Sequence, residues 1–202
     1  MLEFYPMERT PERTEKVKQV TEHRQEGIIV LEDIHDPHNA QAVIRSCDCF
    51  GFHTVYIIFE NEKQFNAVEM GKLASSSANK WLDYKYFTST KECFAELKQD
   101  GYETYATILD KGARSIYDYD FTEKKKIALV FGNEHAGISK FAAENANNKL
   151  YIPMHGMIQS LNLSVTAAIC MFETARQRQA RFSEFQLDKE VRTNLFQDLL
   201  ER

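Results

Sequence analysis

The segment Gly-Ile-Ile-Val-Leu-Glu at 27–32 constrains the fold more than any other stretch of the chain. A strand with one wet face alternates apolar and polar residues. An unbroken apolar run suits a strand covered on both faces, as in parallel sheets. Residues 126–131, Lys-Ile-Ala-Leu-Val-Phe, repeat the signal more clearly. Further strands are expected at 54–59, 81–86, 102–109 and 150–153, and helices at 10–24, 40–50, 88–99, 139–146, 160–181 and 188–200. Thr10 is a suitable cap for the first helix, with Pro11 in its first turn. Ala40, Val43, Ile44 and Cys47 form the apolar stripe of the second, which Gly51 closes. The long helix at 160–181 carries Leu161, Val165, Ala168 and Phe172 on one face. Strands alternate with helices, so the fold class is α/β with a mainly parallel sheet flanked by helices. A break near Glu26-Gly27 divides a helical N-terminal extension, 1–26, from a core domain, 27–182, and a C-terminal helix follows at 183–202.

The 202 residues suit one domain with short appendages, at about 100–200 residues per domain. The longest apolar run, 167–172, is far short of the roughly 20 residues of a membrane span. The N-terminus lacks a basic stretch followed by an apolar one, so a cytoplasmic protein without membrane contact is expected. Cys47, Cys49, Cys93 and Cys170 include no Cys-x-x-Cys pair and read as reduced thiols; no metal site is expected. The net charge of −5 argues against a nonspecific nucleic-acid coat, though it allows a local basic patch.

Three blocks carry chemistry. Pro37-His38-Asn39 opens a helix in which Arg45 points away from the apolar stripe. Alone, this is a solvated arginine behind a capping asparagine. Gly132-Asn133-Glu134-His135-Ala136-Gly137-Ile138-Ser139 follows the best strand. It lacks the Gly-Lys-Ser/Thr of a phosphate loop, and no Gly-x-Gly-x-x-Gly follows any strand, so an NTPase or dehydrogenase is excluded. What remains is a tight loop at a strand's carboxyl end, where open α/β sheets bind ligands. The third block runs Ile152-Pro153-Met154-His155-Gly156-Met157-Ile158-Gln159-Ser160-Leu161-Asn162-Leu163-Ser164, with Ser160 read as a helix cap. Its methionines suit an adenine or a thioether-bearing ligand.

Together and in this order, the three blocks resemble the motifs of the SPOUT methyltransferases, and within that superfamily the TrmH family. The likeness extends to Thr10-Pro11-Glu12-Arg13 and Arg176-Gln177-Arg178, which are similar to the tRNA (guanosine-2′-O)-methyltransferase branch acting on guanosine 18 of the D-loop. The resemblance implies a C-terminal trefoil knot that forms an S-adenosylmethionine pocket, and a homodimer with its site at the interface. It implies cofactor contacts at Thr107, Gly132, Asn133, Glu134, Gly137, Ile152, Met154, Ser160 and Leu161. Catalysis falls to Arg45, Asn39, Ser160, Asn162 and Glu134. RNA contacts map onto Arg13, Lys16, Arg24, His38, Lys98, Arg176 and Arg178.

Within this expectation Arg45 has two open roles, as the base taking the 2′-hydroxyl proton or as a cation that clamps phosphate and stabilises the alkoxide. Arg13 and Arg24, eleven residues apart, are expected on one helix face. The alternatives to tRNA methylation are the same chemistry on ribosomal RNA, or an idle RNA-binding protein on the same scaffold.

Overall fold

A computed structural model describes residues 10–68, 78–158 and 160–202. Residues 1–9 of the expected N-terminal extension and Gln159 of the third block lie outside this set. The chain opens with α1 (Pro11–Glu22), β1 (Gln25–Glu32), α2 (Pro37–Cys49) and β2 (Phe52–Ile58). Then come β3 (Asp83–Phe87), α3 (Thr90–Gln99), β4 (Glu103–Thr107), the two-residue β5 (Arg114–Ser115) and β6 (Ile127–Phe131). It ends with α4 (Lys140–Asn145), β7 (Asn148–Tyr151), α5 (Leu163–Arg178), α6 (Phe182–Phe185) and α7 (Lys189–Glu201). The described strands form one sheet in the order β3-β2-β1-β6-β4-β7-β5, and every pairing is parallel.

The two apolar runs occupy the centre of this sheet. Every residue of β1 and of β6 is buried. Their side chains alternate between two cores. Ile29, Leu31, Leu129 and Phe131 pack with Val43, Ile44 and Cys47 of α2 and with Ala167, Cys170 and Met171 of α5. Ile28, Val30, Ala128 and Val130 pack with Phe94 and Leu97 of α3 and Ala142 of α4. Helices on both faces are therefore what allow the strands to be continuously apolar. A third cluster joins the terminal helices, with Val17 of α1 against Leu195 and Leu199 of α7.

Four local expectations are corrected. The long helix begins at Leu163, not Ser160; its cap is Asn162, whose side chain accepts from the Ser164 N–H. Asn39 does not cap α2, because Asp36 does so by accepting from the His38 N–H. The first helix stops at Glu22, so Arg24 is not on its face and enters the interior beside β1. The expected apolar face of the long helix is also exposed in this chain. Val165 and Phe172 meet solvent, while the opposite stripe of Leu163, Ala167, Cys170, Met171 and Thr174 is buried.

Candidate active site

Because all the strands are parallel, their carboxyl ends share one edge of the sheet. A cavity of about 580 Å³ lies there. Thr107, Ile108 and Leu109 line it from the end of β4, and the loop 132–138 from the end of β6. Leu150, Tyr151, Ile152 and Met154 enter from β7 and the turn after it. Ser160, Leu161, Asn162, Leu163 and Thr166 close it from the start of α5, and Asn39 reaches it from α2.

The β6 loop is a tight crossing. The Asn133 N–H donates to the Gly137 carbonyl at 2.9 Å, and the Gly137 N–H returns to Asn133 O at 2.8 Å. Gly137 has φ +71°, and a Cβ on Gly132 would lie 2.3 Å from the backbone of Gly137 and Ile138. A side chain at 132 would force the loop open. The Asn133 side chain fastens the loop to neighbours, donating to Asp33 O at 2.7 Å and accepting from the His135 and Ala136 N–H groups.

Glu134 joins this loop to the start of α2. Its Oε2 accepts from the His35 N–H at 2.9 Å; its Oε1 accepts from the Asp36 N–H at 3.2 Å and from Asn39 Nδ2 at 2.7 Å. Asn39 Oδ1 in turn accepts from Asn162 Nδ2 at 3.0 Å. A chain of amides thus links the first, second and third blocks. Partial burial pulls the Glu134 pKa up, but the Asn39 amide and the His35 and Asp36 N–H groups outweigh it and hold the carboxyl below its usual value. Glu134 is therefore an ionised clamp at neutral pH and not a proton donor.

All nine residues expected around a cofactor line this cavity, as do Asn39, Glu134, Ser160 and Asn162 of the catalytic set. Ile108, Leu109 and Thr166 join them without having been singled out; their signal was only adjacency to strand and helix ends. Arg45 is not among the lining residues. It is exposed on α2, and among the described residues it has no hydrogen-bond or ion-pair partner.

The expected RNA contacts divide. Lys16, His38, Lys98 and Arg176 are exposed, and Arg13 is half-buried. His38 is tied by Nδ1 to Asp36, the cap of its own helix, at 3.2 Å. Arg176 forks onto Glu173 at 2.7 Å. Arg24 and Arg178 are corrections. Arg24 is 1% exposed and pairs with Asp48 at 2.6 Å. Arg178 is fully buried and donates to the carbonyls of Phe121, Glu26, Lys124 and Lys125 and to the Gln25 side chain. Neither guanidinium is available to a phosphate. Among the described residues, no group of three or more His, Cys, Asp and Glu is arranged to hold a metal ion, and no helix is long and apolar enough to cross a membrane.

A parallel sheet covered on both faces, with a ligand cavity at its carboxyl edge built from a glycine crossing and an amide network, defines an α/β domain that binds a small molecule. The chain belongs to the SpoU rRNA methylase family, whose model matches residues 26–172. It is 34% identical over 198 residues to the tRNA (guanosine(18)-2′-O)-methyltransferase of Thermus thermophilus, covering 96% of this chain and 99% of that one. The TrmH/SpoU tRNA modifying enzyme of A. aeolicus superposes with a TM-score of 0.80 at 29% identity, over 94% of this chain and 95% of that one. An AdoMet-bound rRNA methyltransferase from Sinorhizobium meliloti shares the fold, with a TM-score of 0.68 at 24% identity over 79% of this chain and 59% of that one.

Proposed function

We propose that the protein methylates a ribose 2′-hydroxyl in tRNA, at guanosine 18 of the D-loop, with S-adenosylmethionine as methyl donor. One observation carries the choice of tRNA. The match to the Thermus tRNA enzyme runs over 99% of that chain, whereas a ribosomal RNA relative from Ralstonia nicotianae is matched over 59% of its length.

The cavity suits the cofactor. Its volume lies in the range that small ligands occupy, roughly 300–1,000 Å³. Ile108, Leu109, Ile152 and Leu161 offer apolar walls to a purine, and Met154 a polarisable thioether. The backbones of Thr107, Gly132, Ile152 and Leu161 would hold it, with Asn133, Gly137 and Ser160 shaping the loops around it. When bound, it supplies a methyl group on a sulfonium. The C-terminal knot implied by the resemblance belongs to the same reading.

The protein's task is alignment and help with one proton. Alignment alone is worth about 7–11 kcal/mol. Asn39, held on both sides by Glu134 and Asn162, is fixed for contact with the ribose. A guanidinium is a poor base but a good partner for a developing alkoxide, so Arg45 acts as a cation at the 2′-oxygen. Arg45 must come from a second copy. It shares the exposed flank of α2 with Ala42 and Ser46, beside an apolar groove that Phe50, Val165, Ala168, Ile169 and Phe172 also line. A homodimer joined through this groove would bury those side chains and bring each Arg45 to its partner's cavity.

Labelled S-adenosylmethionine with total RNA, followed by ribose-methylation mapping, tests the assignment. Label at tRNA guanosine 18 is expected. Label in ribosomal RNA alone would overturn the tRNA reading, and absence of label would favour the idle scaffold. Arg45→Ala should abolish single-turnover activity and leave cofactor affinity, measured by calorimetry, nearly unchanged; activity within a few-fold of wild type would remove Arg45 from catalysis.

A further inference from the structure

A second cavity, of about 460 Å³, abuts the first and is lined by His35, Asp36, Pro37, Asn39, Glu134 and His135. Asn39, Glu134 and His135 face both spaces, so the amide-carboxylate clamp is the wall between them. The two linings differ in chemistry. The larger space adds aliphatic walls, while the smaller is enclosed by two imidazoles, a proline ring, an amide and the two carboxylates of Asp36 and Glu134. The imidazoles of His35 and His135 stand edge to face, with centroids 5.4 Å apart, and both residues are exposed.

This pair is held in place from behind. The His35 N–H is bound to Glu134, and its Nδ1 lies 3.1 Å from Glu62 Oε1. Glu62 is positioned by Asp33, whose carboxylate accepts from the Glu60, Asn61 and Glu62 N–H groups. Asp33 has φ +49° in a non-glycine residue, a strained conformation that persists because these bonds over-determine it. The His135 N–H is fixed to Asn133 Oδ1 at 2.8 Å. Two exposed rings with anchored backbones are an unusual outlay for a surface turn. The two rings, inclined at 65°, form a corner in which a base can lie on one ring and meet the other at its edge, and histidine is one of the side chains on which unstacked bases lie.

Asp36 adds a hydrogen-bonding edge. Both of its bonds to His38 use Oδ1. Oδ2 accepts no hydrogen bond among the described residues. An ionised carboxylate only accepts. Guanine is the base that presents two donors side by side, N1–H and the N2 amine. Adenine and cytosine place a ring acceptor beside their amine, and uracil sets its one N–H between carbonyls.

We propose that the smaller cavity is the acceptor-nucleoside subsite: the target guanine sits in the corner between His35 and His135, stacked on one ring and against the edge of the other, and its donor edge meets Asp36. The ribose then lies against Asn39, at the wall shared with the cofactor cavity. This deepens the functional reading above and rests on it.

The test uses the full-length protein with two tRNA transcripts, one carrying guanosine and one inosine at position 18; inosine lacks the N2 amine. His35→Ala, which leaves the cofactor cavity's lining untouched, should raise KM for the guanosine transcript between about fivefold and a hundredfold, the range for losing one base–aromatic stack. His135→Phe, which keeps a flat face, should stay near wild type while His135→Ala does not. Asp36→Asn keeps a good helix cap and should erase the preference for guanosine over inosine. Cofactor affinity by calorimetry should be unchanged in His35→Ala and Asp36→Asn, whose side chains lie outside the cofactor cavity's lining. KM within twofold of wild type in both alanine variants, or an undiminished guanosine preference in Asp36→Asn, would overturn the subsite while leaving the methyltransferase reading intact. A wild-type protein that labels neither transcript would overturn both.

Discussion

Arg178 satisfies four backbone carbonyls and a glutamine oxygen from inside the protein, and its guanidinium lies 4.6 Å from the Phe185 ring centre. Burial lowers its pKa to about 10, so it stays charged at neutral pH. Its work is to fasten the end of α5 to the start of β1 and to the turn before β6. Arg178→Ala would strand several buried acceptors and should cost at least about 3 kcal/mol, read as a fall in thermal midpoint, with RNA affinity per folded molecule unchanged. Lysine cannot reproduce the planar fork and should recover only a minor part of the loss. Glu134 yields a prediction with a sign. Its folded pKa lies below the unfolded value of about 4.3, so the stabilisation from its bonds is complete above that value and lost as the pH falls through the lower folded value. Glu134→Gln should flatten the acid limb of stability against pH and weaken cofactor binding at neutral pH, by denaturation and calorimetry respectively. An unchanged acid limb would remove the clamp.

At the level of elements, β1 and β6 were legible because their burial on both faces leaves no polar alternation to misread. The cavity was legible in part for a similar reason: a strand followed at once by glycines marks a carboxyl-edge loop. What stayed hidden depended on tertiary partners. Nothing local says that the first helix ends before Arg24, and the arginine's burial is decided by Asp48, half a sheet away in sequence. Ser160 and Asn162 are both good caps, and the choice fell to the residue whose side chain also had Asn39 to bond. The two residues of β5 carry no strand signal and pair only because β7 offers them an edge. The outer face of α5 was correctly read as apolar, yet the chain by itself does not cover it. If the proposed dimer forms through that face, Phe172→Asp should turn it into a monomer by sedimentation and suppress activity with it; a dimer that persists would move the interface elsewhere.

For the whole molecule, the proposed sharing of a site between copies makes a stoichiometric prediction. Arg45→Ala and Ser160→Ala proteins, each inactive alone, should regain about a quarter of wild-type activity when refolded together in equal amounts, because half the dimers are mixed and each holds one intact site. No recovery would keep Arg45 within its own chain's cavity. The strand order has a consequence for birth as well as for catalysis. β6 inserts between β1 and β4, yet it leaves the ribosome about a hundred residues after β1. At about 5–20 residues per second, the edge of β1 that β6 will cover waits some 5–20 s for its partner. During that interval the most apolar ribbon in the protein is an open template for other nascent chains. Yield from rapid expression should therefore be set by how well that one edge is shielded, and fewer chains in synthesis at once, or a chaperone that caps strands, should raise it.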